Sequence, residues 1–205
     1  GYDPQTPWKD RDPRFYNDIV YDGVKIVQGT LAANMETHRY ANLFTAGSYR
    51  DDRSGSRTGY MLYKFVPRTV NNFDQGWNYG QNLNIKVPYM RLADIYLMRA
   101  EAKLRKSNDV AGALADVNFV RASRTARIVS PALTSMSLEI LYRERGFEFY
   151  WETLRRTDMI RFGKYEGTWT EKTDSNVQKR LFPIPQSAID GASDKPGYLV
   201  QNAGY

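Results

Sequence analysis

The sequence predicts a mainly α-helical fold of the α+β class, with an irregular loop- and strand-rich lobe ahead of a helical part. Three observations carry that reading. Residues 89–124 hold two successive runs with apolar positions at i, i+3 and i+4 spacing, which marks amphipathic helices. Residues 135–162 form a further run, dense in arginine and glutamate. Residues 1–88 show no such period and are punctuated by Gly, Asn, Asp and Pro. The expected division gives a lobe over 1–88 and a helical part over 89–205.

In the first lobe, Asp12-Pro13-Arg14-Phe15 follows a polar, proline-containing start. Asp18-Ile19-Val20-Tyr21 and Val24-Lys25-Ile26-Val27 flank Asp22-Gly23. An Asp-Gly pair between β-rich runs predicts a hairpin. Residues 28–58 read as a long surface excursion. Tyr60 to Val66 predicts a strand, ended by Pro67. Residues 68–85, with Asn71-Asn72, Gly76 and Gly80, read as another loop.

Pro88 predicts the opening of the helical part, because a first helical turn tolerates a missing N–H. From Tyr89 to Lys106 the stripe is Leu92, Ala93, Tyr96, Leu97, Ala100 and Leu104. Ser107-Asn108-Asp109 breaks this helix and caps the next. The second helix, Val110 to about Arg124, shows Val110, Ala113, Leu114, Val117 and Val120. Two such helices with a short break predict an antiparallel hairpin. The pair resembles one tetratricopeptide-type unit. A single unit cannot bury its own apolar face, since such arrays need about three repeats. Its packing partners are expected upstream of this chain.

A third long helix is predicted from near Ser135 to about Phe162, ended by Gly163. Glu144/Glu148 and Glu148/Glu152 are like-charged i,i+4 neighbours. They need arginine partners, either local (Arg155 and Arg156 beside Glu152) or on another element. Trp151 reads as core. The tail after residue 175 reads as irregular, with Pro183, Pro185 and Pro196.

Composition narrows the function. The chain has 205 residues, 41% hydrophobic and 25% charged, long enough for a core plus a smaller lobe. Mean hydropathy is -0.62. No window approaches the ~18 apolar residues of a membrane span, and no basic-then-apolar leader is present. Cysteine is absent. That removes disulfides, thiolate nucleophiles and sulfur metal sites, and places any lipid-bearing cysteine outside this chain. Net charge is +6. Lys and Arg never run beyond two in a row, and the arginines of the third helix alternate with Glu and Asp. This is the pattern of ion pairs, so nucleic acid is not the expected partner. The 15 Tyr, 9 Phe and 4 Trp stand out because many lie in polar, glycine-rich surroundings. Their apolar faces and polar tips suit carbohydrate or peptide recognition, and equally loop packing.

Four stretches form an ordered set. They are Asp12-Pro13-Arg14-Phe15, and then Arg91-Leu92-Ala93-Asp94-Ile95-Tyr96-Leu97-Met98-Arg99-Ala100-Glu101-Ala102. Next comes Glu144-Arg145-Gly146-Phe147-Glu148-Phe149 with Leu154-Arg155-Arg156-Thr157. Last are Leu181-Phe182-Pro183-Ile184-Pro185 and the closing Gln201-Asn202-Ala203-Gly204-Tyr205. In this order, over roughly residues 10 to 205, they resemble the SusD/RagB family. Asp94 stands for the family's Glu, Thr153 for its usual Asp, and Ala203 for its Pro.

The resemblance implies a non-catalytic nutrient-binding lipoprotein at the surface of an outer membrane, with no cofactor. Such a protein holds a glycan, in some members a peptide, as a lid on a SusC-like TonB-dependent porin. Family members are longer, with the lipid cysteine and most helical repeats in an N-terminal half. This chain is therefore expected to be a C-terminal portion whose membrane anchor lies outside it. The motifs are scaffold and do not identify the ligand.

Among the residues themselves, the binding candidates are the loop aromatics Trp8, Tyr40, Tyr49, Trp77 and Tyr79, with Asn78. Sugar rings stack C–H faces on indole and phenol, and neighbouring amides bond the hydroxyls. Trp77-Asn78-Tyr79 between Gly76 and Gly80 is the most site-like cluster, and each ring tucking under its own loop is the alternative. Glu144 and Glu148 have helical spacing, but an arginine-rich setting marks them as ion pairs rather than a glycosidase pair. His38 is the lone histidine and reads as structural. Asp10, Asp12 and Asp51-Asp52 lack a calcium-loop pattern. Two other functions stay open: a helical-repeat interaction module without a small ligand, and a glycan hydrolase. Excess positive charge favours an anionic glycan.

Overall fold

The computed structural model describes residues 6–26, 33, 39–41, 43, 59–65, 88–123, 129–169 and 172–205. Among them are six α-helices, one 3-10 helix and one two-stranded sheet, so the protein is mainly helical. The chain divides into two compact units, Gly1–Thr153 and Leu154–Tyr205.

In the first unit, Asp12 caps α1 (Pro13–Asp18), accepting from the Arg14 backbone N–H, with Pro13 in the first turn. Ile19 then turns extended and opens β1 (Ile19–Val20). The expected hairpin partner is not used. The Asp22-Gly23 turn does form, with Gly23 at φ 77° and the Val24 N–H bonded to the Tyr21 carbonyl. However, β1 pairs antiparallel with β2 (Met61–Leu62), Ile19 opposite Leu62 and Val20 opposite Met61. Val24 and Ile26 bond to Ala41 and Arg39 instead. Asp22 draws that segment in by accepting from the Leu43 N–H at 2.8 Å. The gain is a small core of Val20, Ala41, Leu43 and Tyr63, which a two-stranded hairpin cannot build.

Helix α2 (Leu92–Ser107) starts three residues later than Tyr89, which is 97% exposed. Arg91 occupies the N-cap in extended backbone and makes no capping bond, because its guanidinium is engaged elsewhere. Asn108 ends α2 in the left-handed region at φ 50°, and Asp109 caps α3 (Val110–Ala122) through the Gly112 N–H at 2.8 Å. Gly112 leaves room for that cap: a Cβ there would lie 2.2 Å from Asp109 Oδ2. The two helices pack as the hairpin expected. Leu97, Ala100 and Leu104 are buried on α2, and Ala113, Val117 and Val120 on α3. Each large aliphatic contributes roughly 1.5–3 kcal/mol of burial. Asn118 pins the connection after α3 by bonding both the N–H and the carbonyl of Leu133.

The third helix is interrupted. Helix α4 (Leu138–Glu148), capped by Ser137, ends in a turn, and α5 (Arg155–Arg161) starts afresh. Trp151 and Thr153 take left-handed backbone at φ 59° and 68°. Trp151, read as core, is 63% exposed. Left-handed backbone is costly for a β-branched residue. The offset comes from Glu152 between them, which is 5% exposed and bonds Arg91 and Lys64.

Those bonds belong to a buried charge network that takes the place of an apolar seam between α1, α2, α3 and α4. Arg14 donates to Asp12, Glu144 and Glu148 at 2.8–3.1 Å. Arg121 reaches Glu144 at 2.5 Å and Asp12 at 3.6 Å. Arg91 joins Glu148 to Glu152, and Lys64 completes Glu152. Among the described residues, four carboxylates thus face four cations. Arg145 pairs separately with Asp94 at 2.8 Å. The partners of the glutamates lie on other elements, as one of the two sequence expectations had it. Arg156 instead donates to the carbonyls of Lys179 and Arg180.

In the second unit, Gly163 ends α5 with φ 68°, as expected from sequence. The chain then passes through a 3-10 helix (Val177–Arg180) and α6 (Gln186–Gly191). The closing residues fold back on residues 181–184. Gln201 bonds both the N–H and the carbonyl of Ile184, Asn202 donates to the Phe182 carbonyl, and the Tyr205 hydroxyl donates to the Leu181 carbonyl. Lys179 lies 3.6 Å from the Tyr205 ring centroid. Among the described residues no helix is long and apolar enough to cross a membrane.

Candidate ligand-binding surface

Helix α1 carries an aromatic cluster on the side of the entering chain. Phe15 and Tyr16 project from α1, Tyr21 from the turn after β1, Tyr60 from the approach to β2, and Trp8 from the turn before α1. Trp8 stacks on Tyr21 with centroids 6.0 Å apart and planes at 17°. Tyr21 stacks on Phe15 at 5.8 Å and meets Tyr16 edge-on at 5.9 Å. Phe15 meets Tyr60 edge-on at 5.7 Å. Offset and edge-on pairs like these add about 0.5–1.5 kcal/mol each beyond area burial. The Trp8 turn is tied down by polar bonds as well. The Tyr16 hydroxyl donates to the Trp8 carbonyl at 2.8 Å, and Arg11 Nε donates to the Pro7 carbonyl at 2.6 Å.

Trp8 is half-buried. Tyr40 is 54% exposed and forms an isolated antiparallel bridge with Lys25. Both candidates are therefore anchored to one short segment, residues 21–26, through Tyr21 and Lys25. Tyr49, Trp77, Asn78 and Tyr79 lie outside the described residues, as does His38. The sequence reading missed Tyr16, Tyr21 and Tyr60 as neighbours of Trp8. The available signal was the Asp12-Pro13 helix start, which puts Phe15 and Tyr16 on a short helix facing the preceding turn.

The electrostatics beneath the cluster are those of a scaffold. Burial pushes the Asp12 carboxyl up, but the bonds from the Arg14 guanidinium and backbone N–H outweigh it and hold Asp12 at about 2. Burial pushes the Arg14 guanidinium down, and its bonds to Asp12 and Glu144 outweigh this and raise it well above the ordinary value. Both Asp12 oxygens accept from Arg14, so its charge is matched by a guanidinium. Glu144 and Glu148 are each 2% exposed and bound by guanidinium groups. Among the described residues no group of His, Asp and Glu is arranged to hold a metal ion.

Comparison with known proteins accounts for these features. A family model described as SusD family matches residues 1–180. A curated relative, the starch-binding protein SusD of Bacteroides thetaiotaomicron, is 34% identical over 128 residues, covering 58% of this chain and 21% of its own length. The chain thus spans about a fifth of that relative. The family is one of non-catalytic, surface-associated outer-membrane lipoproteins that bind nutrient. The residues that meet in the buried network at Asp12-Pro13-Arg14, Arg91 and Glu144 to Glu148 belong to three of the stretches that carried the resemblance, and the chain belongs to the SusD family.

Proposed function

We propose that this chain supplies part of the ligand-holding surface of a nutrient-binding lipoprotein, which delivers glycan to a SusC-like TonB-dependent transporter at the cell surface. The observation that carries the reading is the aromatic cluster under Trp8. It is a set of stacked and edge-on rings, tied by a hydrogen bond from the Tyr16 hydroxyl, and it includes the half-buried Trp8. A stack of this kind offers a preformed face to the C–H surface of a sugar at little entropic cost. Tyr40, bridged to Lys25, is included in the proposed surface, as are Tyr49, Trp77, Asn78 and Tyr79 from their sequence context alone. The relative named for starch binding makes α-glucan the first ligand to try, and the net charge of +6 makes acidic glycans the second.

The test is calorimetric titration of the full-length protein with malto-oligosaccharides, acidic glycans and a mixed peptide pool. It is repeated with Trp8→Ala and Trp77→Ala. Glycan affinity that falls about tenfold or more in either variant, a loss of roughly 1.4 kcal/mol, supports the reading. Unchanged affinity in both removes these aromatics from the site. Binding of peptides alone overturns the glycan assignment while leaving the family intact.

A further inference from the structure

A second concavity, which shares Phe15 with the aromatic cluster under Trp8, opens between α1 and α4. It has a volume of about 150 Å³ and mostly carbon walls from Phe15, Ile19, Phe147 and Tyr150, with Gly146 contributing no side chain and Arg11, Asp12, Arg14 and Asp18 also lining it. Its origin is geometric. Arg14 of α1 is tied to Glu144 and Glu148 of α4, two residues to either side of Gly146. The helices are thus held together by ion pairs that flank a residue without a side chain, and a gap remains where one would pack.

We propose that this cleft is a binding pocket for a single aromatic ring of phenol or indole size. Size is the first argument, since an apolar-walled cavity of about 150 Å³ takes up one benzene ring, and most of the surface of this cleft is carbon. Wall chemistry is the second. The charged groups at the inner end are spent on one another: each N–H of Arg14 has a carboxylate oxygen, and both oxygens of Asp12 accept from Arg14. A sugar would lose the hydration of its hydroxyls against these carbon walls, whereas an aromatic ring bears no such cost. Two cations give the third argument. The Arg14 guanidinium lies 5.6 Å from the Phe147 centroid and that of Arg11 lies 5.9 Å from Phe15. An electron-rich ring entering between these walls meets both cations.

Saturation-transfer NMR on the full-length protein tests this, with phenol and indole as probes and methyl α-glucoside as a polar probe of similar size. Phenol and indole are expected to bind saturably and to compete with each other, and methyl glucoside to displace neither. In Gly146→Leu the new side chain fills the cleft, and probe affinity is expected to fall by about tenfold or more. Leucine is a better helix former than glycine, so α4 should be retained, as circular dichroism reports. If that variant fails to fold, Ile19→Phe fills the cleft from the opposite wall and carries the same expectation. Absence of saturable phenol and indole binding to the wild type overturns the proposal. So does undiminished binding in a folded, filled variant, or displacement of phenol by methyl glucoside. The titrations with the Trp8 and Trp77 variants test the glycan reading separately.

Discussion

Replacing Arg14 with methionine keeps most of the side-chain volume and removes the guanidinium from the centre of the buried network. Arg14 is 1% exposed, and its five N–H groups make five bonds of 2.8–3.1 Å to Asp12, Glu144 and Glu148. Without it, four carboxylates face three cations among the described residues. Glu144 retains Arg121, and Glu148 retains Arg91. Removing one partner from a buried ion pair typically costs 3–5 kcal/mol, because the remaining charge stays desolvated. We expect a loss of about 3–5 kcal/mol for Arg14→Met, a large share of the 5–15 kcal/mol that stabilises an ordinary domain. Arg14→Lys keeps the charge but offers three donors in place of a planar five-donor fork, and should lose about half as much. The assay is urea unfolding followed by circular dichroism, reading the midpoint at constant slope. Arg99, 56% exposed and paired with Asp116, is the control, and Arg99→Ala should leave the midpoint unmoved. A loss below about 1 kcal/mol for Arg14→Met, or an equal loss for Arg99→Ala, would refute the view that the network holds these helices together.

Three further outcomes follow from the structure. The Asp12 carboxyl sits at about 2 when folded against 3.8 unfolded, so its contribution is complete above about pH 4 and vanishes as pH falls toward 2. With its side chain 17% exposed, that contribution is about 1–2 kcal/mol after allowing for screening, and the stability gap between wild type and Asp12→Asn should close over that window in pH-dependent denaturation. Asp109→Ala removes the cap of α3 and should cost about 0.5–2 kcal/mol in thermal unfolding, while Gly112→Ala should lose the same cap through its clash with Asp109. Gln201→Ala breaks both bonds to Ile184. It should speed hydrogen exchange at the Ile184 N–H while leaving urea unfolding of the first unit unchanged, since the broken contacts lie within the second.

Local chemistry was legible wherever one element determines it. The α2–α3 hairpin followed from its apolar spacing, and its break from Asn108 and Asp109, whose side chain and backbone preferences act within a turn. The Gly163 stop was legible for the same reason. Long-range pairing was not. An Asp-Gly turn predicts a reversal but not that Ile19 and Val20 choose Met61 and Leu62, a choice made by the small core around Leu43 and Tyr63. The interruption near Trp151 has no local signal, since neither tryptophan nor threonine favours left-handed backbone. It comes from Glu152 reaching Arg91, 61 residues away in sequence. A run of alternating Arg and Glu looks the same whether solvated or buried, so the third helix read as longer than it is. Of the candidate surface, exposed loop aromatics were readable as a type. The stacking partner of Trp8 depends on how α1 and β1 meet, which no spacing rule gives.

The reach of the Arg14–Glu144 bond along the chain, 130 residues, bears on rates as well as on stability. Closing so long a loop is among the slow events of folding, because its entropy must be lost before the ion pairs form. The α2–α3 hairpin, whose contacts are near in sequence, can assemble without waiting for it. Interactions formed after the transition state leave the folding rate nearly unchanged and govern how fast the native state comes apart. The buried charges therefore work as a kinetic latch: late to engage, and the main brake on escape once engaged.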